Sequence, residues 1–108
     1  MKDFKIVWSA RSECGPNRKK NEDTIFPPIS GSSKPLFKAA VCDGLGGHVN
    51  GDVASKIAAD TLLKEITDLN QIITEANKNI LEYQEKNPSS LGMGTTCLLY
   101  TSDAADDL

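Results

Sequence analysis

Short apolar runs open the chain and two longer amphipathic stretches follow, a change of period that predicts strands first and helices second. Phe4-Lys5-Ile6-Val7-Trp8-Ser9 alternates imperfectly between polar and apolar positions, as a strand does. Ser12 to Asn17, which contains Gly15-Pro16, predicts a turn. Thr24-Ile25-Phe26 predicts a second strand, stopped by Pro27-Pro28, and residues 29–35 read as a flexible hairpin-like loop. Leu36-Phe37-Lys38-Ala39-Ala40-Val41-Cys42 is nearly continuous apolar, the pattern of a strand buried on both faces. From Asn50 or Gly51 the spacing becomes helical, with Val53, Ala54, Ile57, Ala58, Thr61, Leu62 and Ile66 on one stripe. A second amphipathic helix follows Asp68-Leu69-Asn70 and places Ile72, Ile73, Ala76, Ile80 and Tyr83 on its inner face. Asn87-Pro88-Ser89-Ser90 ends it, Gly92-Met93-Gly94 is a loop, and Thr95 onward reads as a strand. No repeat is visible, and the order of elements predicts an α+β layered fold.

Composition narrows the class of protein. The chain has 108 residues, enough for one small domain, with 39% hydrophobic and 25% charged residues, as in ordinary globular proteins. No apolar stretch approaches a membrane span, and Met1-Lys2-Asp3 leads into a strand-like segment rather than a signal peptide, so a cytoplasmic location is expected. Cys14, Cys42 and Cys97 form no CxxC pair; reduced thiols are expected, not a disulfide framework or a thiolate zinc site. The net charge of −3 comes from Asp103, Asp106 and Asp107, and the rest of the chain is neutral. That balance excludes the basic footprint of a nucleic-acid binder.

Two clusters carry the candidate chemistry: Arg18-Lys19-Lys20-Asn21-Glu22-Asp23 and Asp43-Gly44-Leu45-Gly46-Gly47-His48. Each puts carboxylates where a short strand meets a turn. Hard divalent cations are held by such oxygens, usually gathered from separate segments. Glu22 and Asp23 are neighbours on a strand and point to opposite faces, so one is expected to bind an ion and the other to face elsewhere or orient a metal-bound water. A solvated acidic turn is the plainer reading of Glu-Asp alone; Arg18, whose guanidinium suits a phosphate, and the second cluster favour a site. Asp43 ends an apolar strand, where a carboxylate needs a cation or several donors, or else caps a turn. Gly44 lets the backbone turn and brings its carbonyl toward whatever Asp43 binds. His48 reads either as an outer partner of metals or as a capping residue at the first helix. Thr95 and Thr96 are expected to pack or hydrogen-bond beside the site.

A nucleotide cradle fails on spacing. Val49 stands where a dinucleotide fingerprint needs its third glycine, and Asp52-Val53 where a P-loop needs Lys and Ser or Thr.

Arg18 through Asp23, Val41 through His48, Gly51-Asp52-Val53-Ala54-Ser55 and Gly92-Met93-Gly94-Thr95-Thr96 resemble the first motifs of the protein phosphatase 2C family, in its short bacterial form. The match covers almost all of residues 5–96. The resemblance implies the N-terminal part of an α-β-β-α sandwich, two packed antiparallel sheets flanked by helices. It implies a metal-dependent serine/threonine phosphatase that acts on phosphoserine and phosphothreonine proteins in signalling, with two Mn²⁺ or Mg²⁺ ions in the complete domain. By resemblance, Arg18 takes the substrate phosphate, Glu22, Asp43 and the Gly44 carbonyl take the metals, and Asp23 holds metal-bound water. Leu45 departs from many eukaryotic members, which carry a general-acid histidine there. The family's remaining metal aspartates lie in a second half of the domain that this sequence lacks.

Residues 97–108 resemble the in-frame translation of a sequencing adapter, so 1–96 is expected to be a partial domain and 97–108 a non-native tail. The fragment alone is then expected to be inactive. A non-catalytic protein-binding module on the same fold is the alternative; it predicts disrupted motif carboxylates, whereas Glu22, Asp23 and Asp43 are all present. No nucleic-acid partner is expected, and no membrane partner for this segment.

Overall fold

Among the described residues, two antiparallel sheets and two α-helices make up the fold, with two short 3-10 turns. The computed structural model describes residues 6–17, 19–33, 38–45, 50–64, 66 and 68–101. Strands β1 (Ile6–Trp8), β2 (Asp23–Phe26), β3 (Gly31–Ser33) and β4 (Lys38–Asp43) precede helices α1 (Gly51–Asp60) and α2 (Leu69–Lys86), and β5 (Leu98–Thr101) closes the order. β1 pairs with β3, and β2, β4 and β5 form a three-stranded sheet with β4 at its centre. This is the expected α+β class, with two antiparallel sheets and helices. Phe4, Lys5, Leu36 and Phe37 of the predicted strands lie outside the described residues.

The loop expected at 29–35 contains a strand. Gly31-Ser32-Ser33 has no apolar alternation to reveal it; its pairing with Ile6–Trp8 is made by backbone groups, which any sequence supplies. The Trp8 indole N–H donates to the Ile29 carbonyl (2.8 Å) and ties the same segment down.

β4 is also not buried on both faces. Ala40 and Cys42 are buried while Val41 is 47% exposed, because both helices lie on one side of the sheet. The register pairs Ile25 with Val41 on the open side, and Phe26 with Ala40 on the helix side. The core joins Ala40, Cys42, Ala58, Ala59, Leu62, Ile72 and Ala76, with Phe26, Ile66, Cys97 and Leu99 packed against it. Burying Leu62 and Ile72 contributes roughly 1.5–3 kcal/mol each. Small buried residues on α1 (Ala54, Ser55, Ala58, Ala59) let it lie close to β2 and β4. The helical period placed Ile73 inside, but it is 46% exposed: α2 buries the narrow line of Ile72 and Ala76 and leaves Ile73 beside it half in water.

Local signals set the helix ends. Asn50 enters α1 through the left-handed region (φ 55°), which asparagine adopts more readily than most residues. Asp68 caps α2 by accepting the Gln71 N–H (3.1 Å), and Pro88 follows its last turn. Lys38 Nζ donates to the carbonyls of Lys64 (2.5 Å) and Ile66 (3.2 Å), joining β4 to the segment between the helices.

None of the three cysteines is in a disulfide. The Cys42 S–H donates to Cys97 Sγ at 3.5 Å. That bond pushes the Cys42 thiol up, with burial adding to it, and holds Cys97 down at about 7. Among the described residues, no helix is long and apolar enough to cross a membrane.

Candidate active site

β2 begins where β4 ends, and their antiparallel register makes Asp23 and Asp43 direct partners. Both are exposed. Like charges directly opposite on a sheet destabilise it, so this pairing is favourable only when something cationic lies between or beside the two. Glu22 precedes Asp23, and its half-buried side chain sits against the first turn of α1. A polar cavity of about 420 Å³ opens at this corner, lined by Glu22, Asp23, Asp43 and Gly44 together with Lys20 and Asn21. The structure therefore brings three predicted carboxylates and the predicted glycine to one place.

The turn after β4 is held from two sides. The Gly44 N–H donates to the Glu22 carbonyl (3.0 Å). On the other side the Thr96 N–H donates to the Asp43 carbonyl (2.9 Å) and the Leu45 N–H to the Gly94 carbonyl (3.0 Å). Thr95 forms an isolated bridge with Gly44, while its hydroxyl donates to the Thr96 carbonyl (2.8 Å). Thr95 thus braces the turn and does not line the cavity. A Cβ on Gly44 would overlap the Gly51 carbonyl and lie 2.9 Å from the Glu22 carbonyl oxygen, so only glycine fits between these strands of backbone.

Further groups position the acidic segment. Asn21 accepts the Asp23 N–H (3.1 Å) and donates to the Ser12 hydroxyl (2.8 Å), which fastens the start of β2 to the preceding loop. Lys20 Nζ is 3.8 Å from Asp52, a loose pair beside the carboxylates. Ser55, fully buried on α1, bonds to the Glu22 carbonyl (2.7 Å). Sequence reasoning quoted these three within its motifs but gave them no role of their own; for Ser55 the signal was a hydroxyl among the small residues Ala54, Ala58 and Ala59 of α1.

Arg18 and His48 lie outside the described residues. Among the described residues, no three His, Cys, Asp or Glu side chains are gathered as ligands of one metal ion. The donors that do converge are all hard oxygens, which suits Mg²⁺ or Mn²⁺ better than soft metals.

No family model matches the chain. A serine/threonine phosphatase, Stp, of Listeria monocytogenes is 36% identical over 99 aligned residues, covering 80% of this chain and 38% of the relative. The serine/threonine protein phosphatase PstP of Mycobacterium tuberculosis is 32% identical over 100 residues, covering 84% of this chain and 18% of the relative. Among solved structures, the catalytic domain of PstP in complex with two manganese ions superposes with a TM-score of 0.69 at 28% identity, over 89% of this chain and 43% of that one. Stp1 of Staphylococcus aureus gives a TM-score of 0.61 at 28% identity, over 91% and 41%. The chain spans less than half the length of the relatives it matches.

Proposed function

We propose, for a chain that belongs to the bacterial serine/threonine phosphatases of the protein phosphatase 2C family, that it supplies one side of a metal-dependent phosphoprotein phosphatase site. The observation that carries this reading is the pairing of Asp23 with Asp43, beside Glu22, around a turn where only glycine fits. Glu22, Asp23 and Asp43 share this corner with Glu13 and Lys20, an excess of carboxylates that a cation would offset, and their oxygens fit Mn²⁺ or Mg²⁺. Glu22, Asp43 and the Gly44 carbonyl would hold ions there, and the two manganese ions of the PstP catalytic domain support the number two. Bound ions supply charge that neutralises phosphoryl oxygens and lowers the pKa of water.

The chain's own residues then divide the remaining work. Asp23, on the exposed face, accepts a hydrogen bond from the attacking water and aims it at phosphorus. Arg18 grips the phosphoryl oxygens through its paired N–H donors. Water displaces the serine or threonine alkoxide, so no covalent enzyme intermediate forms. Substrates are phosphoserine and phosphothreonine proteins, met in the cytoplasm.

Residues 1–96 form part of a longer domain in this reading, and 97–108 are a non-native tail. The pairing of Leu98–Thr101 with β4 uses backbone groups that another sequence would supply equally. The activity therefore belongs to the full-length protein, which is expected to release phosphate from a phosphothreonine peptide with Mn²⁺ and to stop in a chelator. Undiminished hydrolysis in the chelator overturns the reading.

Gly44→Ala is expected to cost about 1–3 kcal/mol of stability or more, since the added methyl meets backbone rather than a movable side chain. Denaturant unfolding of the full-length protein measures it; an unchanged midpoint would show that the turn can open without loss.

A further inference from the structure

We propose that Ser55 is a positioning residue for Glu22, and that one face of α1, Gly51 and Ser55 a turn apart, sets both ends of that glutamate. The inference rests on Glu22 being a metal ligand, as proposed above.

The Ser55 hydroxyl is fully buried and has three polar neighbours: the Glu22 carbonyl at 2.7 Å, Thr24 Oγ1 at 2.9 Å and the Asp52 carbonyl at 3.1 Å. It has a single proton. A serine inside a helix ordinarily bonds back to the carbonyl three or four residues earlier. That carbonyl, on Asp52, is the more distant acceptor here, so the proton goes to Glu22 and the Thr24 hydroxyl donates into Ser55. A relay of two hydroxyls thus runs from β2 through α1 and back to the peptide of Glu22.

The Glu22 carbonyl also accepts the Gly44 N–H (3.0 Å). Both of its lone pairs are taken, one by the turn that follows Asp43 and one by α1. The peptide that carries one ligand is therefore pinned to the turn that carries the other. At the far end of the residue, a Cβ on Gly51 would lie 2.9 Å from Glu22 Oε2 and 3.0 Å from the Leu45 carbonyl oxygen, so the bare backbone of Gly51 leaves room both for the carboxylate and for the turn after Asp43. Ser55 itself does not line the cavity. Its effect on the ions passes through Glu22.

The test uses the full-length protein, with Mn²⁺ affinity read from the free-ion electron paramagnetic resonance signal and melting temperature read in parallel. Ser55→Ala is expected to weaken Mn²⁺ binding about 10–100-fold, the usual effect of removing a group that orients a metal ligand. Ile72→Val, which trims the core away from the cavity, serves as a stability control and is expected to lower the melting temperature with Mn²⁺ affinity unchanged. Gly51→Ala puts a methyl against both the Glu22 carboxylate and the turn after Asp43 and is expected to weaken Mn²⁺ binding also; unchanged binding there decides against the positioning role if Ser55→Ala does not fold. Glu22→Gln separates the two readings. If Glu22→Gln weakens binding while Ser55→Ala, or Gly51→Ala in its stead, leaves it unchanged, the positioning role is overturned and the metal site stands. If Glu22→Gln leaves binding unchanged, the metal assignment falls and the positioning role with it.

Discussion

Asp43→Ala in the full-length protein is expected to reduce Mn²⁺-dependent hydrolysis of a phosphothreonine peptide by about a thousandfold or more. The size follows from what bound metal contributes: several kcal/mol of charge stabilisation, at about 1.4 kcal/mol per factor of ten. Asp43 faces Asp23 across the β2–β4 ladder and lines the polar cavity with Glu22. Removing its carboxylate takes away one of the oxygen donors proposed to hold the ions there. The backbone should survive, because the Asp43 carbonyl keeps its bond from the Thr96 N–H at 2.9 Å and the alanine methyl points to an exposed position. Arg18→Ala is expected to behave differently, raising KM for the phosphopeptide and leaving measurable turnover, since its proposed role is to grip substrate rather than to hold an ion. Steady-state kinetics at saturating Mn²⁺ distinguish the two. Small and equal effects from both substitutions would remove the assigned roles.

The second large effect concerns the chain by itself. Residues 1–108 are expected to show no Mn²⁺-dependent phosphatase activity, to bind a hydrophobic dye such as ANS, and to unfold over a broad range rather than in one sharp transition. The reason lies on the open face of the three-stranded sheet. Val41, Leu98 and Tyr100 are 47%, 74% and 48% exposed, and with Ile25 and Trp8 they line an apolar groove of about 500 Å³. Folded chains rarely leave such a face to water, and small domains have little stability to spare. Among the described residues β5 is an edge strand, and such an edge invites pairing with another chain. The relatives of this chain extend well beyond the part it matches. Calorimetry, dye binding and sedimentation check the expectation together. A sharp two-state transition with robust turnover would sink it.

Much of this protein could be read without coordinates, because side-chain chemistry and local period are properties of the chain alone. The three- and four-residue steps after Gly51 announced α1, and Asp68 and Pro88 marked the ends of α2. The carboxylates Glu22, Asp23 and Asp43 and the turn glycine Gly44 stood out by residue type and by their places at strand ends. Arg18 and His48 were legible in the same way and lie outside the described residues.

Other features were decided only when the elements met. β3 has no apolar period, so its pairing with β1 depends on backbone groups and on the approach of Trp8. The run through Val41 looked buried on both sides; a sheet covered by helices on one side exposes every second residue, whatever its hydrophobicity. Ile73 obeys the helical period yet is left half in water, because α2 buries a line narrower than its apolar stripe. Ser55 gains its meaning only from the approach of α1 to β2, which carries a hydroxyl to the carbonyl of a residue 33 positions away. Composition and period name the groups that can bind an ion. The register of β2 against β4 sets which carboxylates face one another, and that register is a property of the folded chain.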